Sequence, residues 1–206
     1  MINKNRKIIL IGGAPTVGKS TMAGLLAEHL KVPWISTDQL RALMRIVADR
    51  NKLPKLFEPE GYDAERFLTE FSAREIVNRE FEQAEATWPA IQMFVNEDYT
   101  WDNGFIIEGI AILPHLVAKD FGQNQNIKTI FLVDEDADRI RDVVFHRGLW
   151  DDADKYPDSV KEKEIDWALL FSHELKTEAE KFGYPCVEVS KNKDDLRTLL
   201  KCLEIS

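Results

Sequence analysis

The stretch Gly13-Ala14-Pro15-Thr16-Val17-Gly18-Lys19-Ser20, followed by Thr21, matches the pattern G-x-x-x-x-G-K-[ST] at every fixed position. A short apolar run rich in β-branched residues, 7–11, precedes it, and a segment with helical apolar spacing, 22–30, follows it. A strand, a glycine loop and a helix in this order predict a loop whose backbone N–H groups bind phosphate at a helix N-terminus. We therefore assign all of the residues quoted, from Gly13 to Thr21, to nucleotide binding.

Two side chains of this stretch add chemistry to the loop. Lys19 supplies a positive charge that can reach the terminal phosphates of a nucleotide, and we predict that it is catalytic. The Ser20 hydroxyl is a predicted ligand of Mg²⁺. The structural alternative is a glycine-rich turn that only joins the strand to the helix. The loop by itself does not distinguish a kinase from a GTPase or a motor ATPase.

Length and composition limit the class of protein. The chain has 206 residues, of which 44% are hydrophobic, and this suits one domain spanning residues 1–206. The net charge of −9 argues against nucleic acid or an anionic membrane as a partner. The sequence contains no apolar run of membrane-spanning length, and the short start before the first strand predicts no signal peptide. With two cysteines in no metal or redox spacing, we expect a cytoplasmic protein with reduced thiols.

Short apolar segments alternate with helical patterns along the chain. The predicted strands are 7–11, 32–36, 104–109, 127–133 and 186–190. The predicted helices are 22–30, 39–50, 64–86, a segment from Pro89 to 98, 136–147, 159–182 and 193–203. Asp63 and the spacing of Ser159 and Glu162 mark helix starts, and Gly148 marks a helix end. This alternation predicts an α/β fold, a three-layer α/β/α sandwich with a five-stranded parallel sheet.

Ligands of such folds bind beyond the carboxyl ends of the strands, and Asp38 follows the second predicted strand there. A carboxylate at this place can accept the proton of a hydroxyl that is being phosphorylated, so we predict a catalytic and substrate-binding role. The alternative is a helix N-cap, which aspartate also favours. Arg41, one helical turn later, is a predicted ligand of an acidic group on the acceptor, against the alternative of a solvated helix face.

Three more residues lie at predicted strand ends or helix ends near the loop. Glu108 ends the third strand, and we predict that it binds Mg²⁺ or the acceptor; the alternative is an exposed acid. Arg147, on the apolar stripe of the helix 136–147, is a predicted catalytic group that offsets phosphoryl charge, or else a partner of the helix dipole. Asn192 begins an N-K-x-D match after the fifth strand, where a base-contacting loop is expected, so GTP stays an alternative to ATP.

The segments Ile11-Gly12-Gly13-Ala14-Pro15-Thr16-Val17-Gly18-Lys19-Ser20-Thr21, Ile35-Ser36-Thr37-Asp38 and Ile106-Ile107-Glu108-Gly109 carry a family resemblance. The chain resembles P-loop small-molecule kinases related to nucleoside monophosphate kinases, and most of all 2-phosphoglycerate kinase-type proteins. It is similar, more distantly, to zeta-toxin and chloramphenicol phosphotransferase-like kinases. The resemblance spans residues 7 to about 147 and thins beyond them.

The resemblance implies an NMP-kinase-like core (5–38, 103–148 and 184–206), an acceptor-binding helical region (39–100) and a lid-like loop (148–158). It implies ATP and Mg²⁺ as cofactors, handled by Lys19 and Ser20, with Asp38 as the base and Arg147 before the lid. The loop 148–158 is acidic and departs from the usual arginine-bearing lid. We therefore expect a kinase that phosphorylates a hydroxyl of a small, anionic metabolite. The alternatives are a toxin-like kinase acting on a nucleotide sugar or an antibiotic, and a regulatory ATPase or GTPase module; the oligomeric state stays open.

Overall fold

Five parallel strands form the centre of the structure, a computed structural model that describes residues 6–97, 100–148, 154–189 and 195–205. The strands are β1 (Lys7–Gly13), β2 (Trp34–Ser36), β3 (Gly104–Glu108), β4 (Ile127–Val133) and β5 (Cys186–Glu188). Their order across the sheet is β2-β3-β1-β4-β5. The central strand β1 pairs with β3 on one side and β4 on the other, so the loop after β1 opens at the middle of the sheet's carboxyl edge.

The described residues also contain eight α-helices and one short 3₁₀ helix, Pro54–Phe57. The α-helices are α1 (Lys19–Leu30), α2 (Thr37–Val47), α3 (Ala64–Glu70), α4 (Ala73–Glu97), α5 (Pro114–Phe121), α6 (Ala137–Arg147), α7 (Asp158–Phe182) and α8 (Asp195–Cys202). α1 contacts α8, whereas α7 contacts both α4 and α5, and these groups form the helical layers around the sheet. The predicted three-layer α/β/α fold with a five-stranded parallel sheet is confirmed.

The strands read as continuous apolar runs because both faces of the sheet are covered. Residues Ile8 to Ile11 of β1 are at most 3% exposed, and Phe105 to Ile107 of β3 are fully buried. α6 begins and ends as predicted: the Asp136 carboxylate accepts hydrogen bonds from the first-turn amides, and the chain leaves the helix at Gly148.

The helical region after Asp63 differs from the prediction. Asp63 is the N-cap of α3, because its carboxylate accepts a hydrogen bond of 2.8 Å from the Arg66 amide. The helix does not continue to residue 86, however, because Ser72 starts a new one. The Ser72 amide donates to the Glu75 carboxylate (2.8 Å), and the Glu75 amide donates to the Ser72 hydroxyl (3.3 Å). This is a capping box, and the S-x-x-E spacing is its signal in the sequence.

The sequence predicted that Pro89 begins a helix, but the residue lies inside α4. A proline in a helix interior costs about 3 kcal/mol, since it lacks the N–H that the ladder needs. Thr87, Trp88 and Ile91 beside it are buried, and α4 packs against α2, α5 and α7. Burial of this face offsets the missing hydrogen bond, and the helix runs through the proline.

One further prediction is wrong, and one helix was not predicted. Glu162 does not cap α7; the helix begins at Asp158, and the Glu162 carboxylate pairs with Arg141 at 2.7 Å. α5 was not predicted at all, although Pro114 stands at its first turn. Ser190, at the end of the predicted fifth strand, and residues 149–153 of the predicted lid lie outside the described residues. No helix in the described part of the chain combines the length and the apolar character needed to cross a bilayer.

Candidate active site

The loop between β1 and α1 has the backbone geometry of a phosphate cradle. Gly18, the N-cap of α1, has φ +81°, a left-handed conformation that favours glycine. A Cβ at Gly13 would lie 2.8 Å from the Leu132 carbonyl oxygen and 3.0 Å from the Lys19 side chain. Because Gly18 has no side chain, it cannot cap the first amides of α1. The N–H groups at this helix start therefore face the loop, where partial positive charge favours an anion.

Lys19 lies against the loop. Its ammonium donates a hydrogen bond of 2.7 Å to the carbonyl oxygen of Ala14. Burial lowers the pKa of Lys19, while the nearby carboxylates of Glu108 and Asp38 oppose that change. The lysine is thus placed within a group of opposite charges rather than extended into solvent.

Glu108 ends β3 and is only 1% exposed. The Ser20 hydroxyl donates a hydrogen bond of 3.1 Å to its Oε1 atom. Burial raises the pKa of Glu108, and the charge of Lys19 opposes this shift. The alternative of an exposed acid at a strand end is excluded. A hydroxyl and a carboxylate oxygen side by side at the phosphate loop fit the oxygen ligands that Mg²⁺ prefers.

Asp38 stands in the first turn of α2 and does not cap it. Ser36 is the N-cap: its hydroxyl accepts a hydrogen bond of 3.2 Å from the Asp38 amide, and its own amide donates to the Gln39 side chain at 3.1 Å. The alternative interpretation of Asp38 as the cap is therefore wrong. Its carboxylate is 69% exposed and lies at the wall of a cleft beside Lys19.

Arg41 is fixed between two helices. Its guanidinium donates to the side-chain oxygen of Gln83 on α4, and it lies 3.9 Å from the Asp38 carboxylate. Gln83, which is buried, donates in turn to the backbone carbonyl of Glu58. This chain of contacts holds the arginine at the cleft, so a fully solvated helix face is not its environment.

One cleft of about 520 Å³ collects most of the predicted site residues. From that set, the residues that line it are Pro15, Thr16, Gly18, Lys19, Ser20, Thr21, Asp38, Arg41, Glu108 and Arg147. Arg147 is the last residue of α6, and its charge acts on the pKa of Lys19. The remaining residues of the loop segment, Gly13, Ala14 and Val17, are buried. Asn192 lies outside the described residues.

A smaller apolar pocket of about 200 Å³ adjoins the loop at Gly18. Val17, Leu132 and Val187 form part of its wall. Arg139 stands at this pocket, held by contact with the buried carboxylate of Asp134. A pocket with apolar walls therefore lies next to the loop.

Two acids of the cleft were missed by the sequence analysis. Glu80 on α4 is half-buried, and burial raises its pKa to about 7 against the opposing charge of Arg41. Glu164 on α7 has no exposed surface, and burial raises its pKa to about 7 as well, although the Tyr156 hydroxyl donates to it at 2.8 Å. Each acid interrupts the apolar stripe of its helix, which is the sequence signal that could have found them.

Curated 2-phosphoglycerate kinases are similar to this chain in sequence. A 2-phosphoglycerate kinase of Methanocaldococcus jannaschii is 28% identical over 201 residues, which are 96% of this chain and 62% of that protein. A second, from Methanococcus vannielii, is 34% identical over 134 residues, 62% of this chain and 42% of that protein. The chain resembles 2-phosphoglycerate kinases. The resemblance inferred from the residues is thus confirmed, and the chain spans less than two thirds of the length of these relatives.

Other comparisons extend this picture. A mevalonate-3-phosphate 5-kinase of Thermoplasma acidophilum is 26% identical over 138 residues, 66% of this chain and 67% of that protein. A gluconokinase structure from Sinorhizobium meliloti superposes with a TM-score of 0.51 at 15% identity, over 97% of this chain and 93% of that one. At this identity the structural likeness shows a shared fold. No protein-family model matches the chain.

Proposed function

We propose that the chain is a kinase that uses ATP and Mg²⁺ to phosphorylate a hydroxyl of a small, anionic metabolite, with 2-phosphoglycerate as the reference acceptor. The main support for the proposal is the set of charged and hydroxyl side chains that line one cleft. Lys19, the Ser20–Glu108 oxygen pair and the exposed Asp38 carboxylate share it. The names of the relatives, all kinases of small phosphorylated or hydroxylated acids, support the same class.

The nucleotide half of the proposal rests on the loop and its flanks. The loop amides and Lys19 would hold the phosphates, and the apolar pocket beside Gly18 would take the base, next to Arg139. Ser20 and Glu108 would hold Mg²⁺, which when bound neutralises charge on the phosphates. The core segments 5–38, 103–148 and 184–206 would together form this half.

The acceptor half supplies a base and an anion ligand. Asp38 would accept the proton of the attacking hydroxyl, since its carboxylate is exposed in the cleft. Arg41, already held by Gln83, would bind an acidic group of the acceptor without a large loss of side-chain freedom. Arg147 would offset the charge that develops on the transferred phosphoryl group. Catalysis would then come from positioning and electrostatics, as phosphoryl transfer requires.

A screen of acceptors tests the proposal. Thermal unfolding is followed with a non-hydrolysable ATP analogue and Mg²⁺ across phosphorylated acids, sugar acids, nucleotides, nucleotide sugars and antibiotics, and hits are assayed for ATP-dependent turnover. A true acceptor raises the melting temperature, because it binds only the folded state. Hydrolysis that no acceptor stimulates would favour a regulatory module instead.

The matched variants are Lys19→Ala and Lys119→Ala. Lys119 is exposed on α5, away from the cleft. Lys19→Ala should abolish turnover or nucleotide binding, whereas Lys119→Ala should behave as the wild type. If Lys19→Ala keeps both nucleotide binding and turnover, the proposed function is wrong.

A further inference from the structure

The wall of the cleft formed by α7 holds two polar atoms without a hydrogen-bond partner in the described part of the chain. Glu164 Oε1 and Trp167 Nε1 are both buried and make no hydrogen bond among the described residues. The two side chains are three residues apart on α7, so they lie on one face of the helix, and both line the cleft that contains Lys19 and Asp38. Buried polar groups are nearly always paired, and each unpaired one weakens the folded state.

The surroundings fix the orientation of this pair. The Tyr156 hydroxyl donates to the other oxygen of Glu164, Oε2, at 2.8 Å. Val160 and Phe171, which continue the same stripe of α7, are buried in the core. The carboxylate is therefore anchored by one oxygen, and its second oxygen makes no hydrogen bond to the described residues.

The chemistry of the pair selects its ligand. Glu164 Oε1 needs a hydrogen-bond donor, and Trp167 Nε1 needs an acceptor. A hydroxyl group is both at once. A carboxylate or a dianionic phosphate only accepts hydrogen bonds, so it could pair with Trp167 Nε1 but not supply a donor to Glu164 Oε1.

The charges along the cleft also favour an acceptor with few acidic groups. The described lining residues include four acids, Asp38, Glu80, Glu108 and Glu164. They include three cationic side chains, Lys19, Arg41 and Arg147. A cleft with this balance suits an acceptor with one acidic group, which Arg41 would bind, better than one with several.

We propose that Glu164 and Trp167 bind a hydroxyl of the acceptor other than the one that is phosphorylated, so that the preferred acceptor is a polyhydroxylated carboxylic acid. This inference rests on the proposed function and replaces its reference acceptor, because 2-phosphoglycerate has a single free hydroxyl and both a carboxylate and a phosphate. The competing occupant of the pair is a single enclosed water molecule, because neither atom touches bulk solvent.

Matched acceptors test the inference. The first pair is glycerate and 3-hydroxypropionate, and the second is gluconate and 2-deoxygluconate; each second member lacks one hydroxyl. We measure kcat/KM for each, and the Kd by calorimetry with a non-hydrolysable ATP analogue and Mg²⁺. The wild type should prefer the more hydroxylated member of at least one pair by about 100-fold or more, since a site built to bond a hydroxyl rejects the analogue without it.

Variants assign that preference to the pair. Trp167→Phe keeps an aromatic ring and removes the N–H, and it should reduce the preference about tenfold or more. Trp88→Phe is the control, because the Trp88 indole donates to Asp120 at 2.6 Å outside the cleft; it should leave the preference unchanged. Glu164→Gln, similar in size, should weaken the same preference, because an amide oxygen accepts less strongly than a carboxylate.

The outcomes separate the two proposals. If Trp167→Phe and Glu164→Gln change only the melting temperature and leave the preference intact, the pair holds a water and the inference is wrong. If nucleotide binds but none of the polyhydroxylated acids does, or acceptors with a single hydroxyl are preferred, the inference fails and the kinase stands. If neither nucleotide binding nor turnover is found, the proposed function itself fails.

Discussion

The two halves of the cleft are built in different ways. On the proposed nucleotide side, one continuous segment from Gly13 to Thr21 supplies most of the residues, with Glu108 added from the neighbouring strand. On the acceptor side, single residues come from α2, α4 and α7, which are far apart in the chain. The first half is a local property of the sequence, whereas the second exists only after the helices have packed.

The halves also differ in how their charges are held. Glu108 is buried and Lys19 is partly buried. Burial lowers the pKa of Lys19 and raises that of Glu108, and the charge of each residue opposes the shift of the other. Asp38, by contrast, is largely exposed, and Arg41 depends on a glutamine of another helix for its position. We therefore expect the nucleotide half to be largely preformed, although the charge of Asp38 also acts on the pKa of Lys19. The following variants probe this contrast.

The largest effect is expected from Asp38→Asn, which changes only the acceptor half. Loss of a general base costs about 10²- to 10⁴-fold in kcat. Nucleotide affinity, measured by calorimetry, should stay at the wild-type value, because the loop is untouched. The matched control is Asp166→Asn at an exposed position of α7. Full turnover by Asp38→Asn would disprove the role of this residue as base.

Glu108→Gln tests the nucleotide half. Removing the carboxylate beside Ser20 takes away a predicted metal ligand and the charge that supports Lys19. The concentration of Mg²⁺ needed for half-maximal turnover should rise about 10- to 100-fold. Glu188→Gln, also at a strand end but exposed on β5, is the control. An unchanged Mg²⁺ requirement would assign Glu108 to another task.

The smallest effect is a pH-dependent stability difference from Glu164→Gln. Burial raises the pKa of Glu164 to about 7, from its ordinary value of 4.5, so the folded state binds its proton more tightly than the unfolded chain. Its contribution to stability is full below pH 4.5 and is lost as the pH rises through about 7. Glutamine carries no such charge and avoids this loss.

At about pH 8 the Glu164→Gln variant should thus be more stable than the wild type by roughly 1–3 kcal/mol, and the gain should disappear near pH 5. Chemical denaturation at both values measures it. Glu162→Gln is the control: this acid is paired with Arg141 at the surface, and its pKa is lowered. A gain that is equal at both pH values would contradict a buried, charged Glu164.

The sequence predicted those parts of the fold that depend on neighbours in the chain. The β1 loop and α6, with Asp136 before it and Gly148 after it, follow from local hydrogen bonds and backbone angles. The predictions failed where tertiary contacts decide. Pro89 lies inside α4 because one face of that helix is buried. Glu162 forms an ion pair with Arg141 and does not cap α7.

The candidate site divides in the same way. Lys19, Asp38 and Glu108 could be assigned because a strand end or a motif fixes their place at the sheet edge. Glu80 and Glu164 could not, since only the packing of α4 and α7 brings them to the cleft. Their one signal is an acid at a core position of a helix, such as Glu164 between Val160 and Trp167.

The capping box at Ser72 has a consequence for the dimensions of the acceptor pocket. A continuous helix from Ala64 to Glu97 would be a rod about 50 Å long, and Phe67 and Glu80 would stand about 20 Å apart on it. The corner at Ser72 instead brings both to the border of one cleft. Inserting or deleting one residue next to that corner would turn every side chain of α4 by about 100°. Such a change would also turn the buried face of α4 away from α2, α5 and α7, so the length of the chain at this corner fixes which groups of α4 face the cleft.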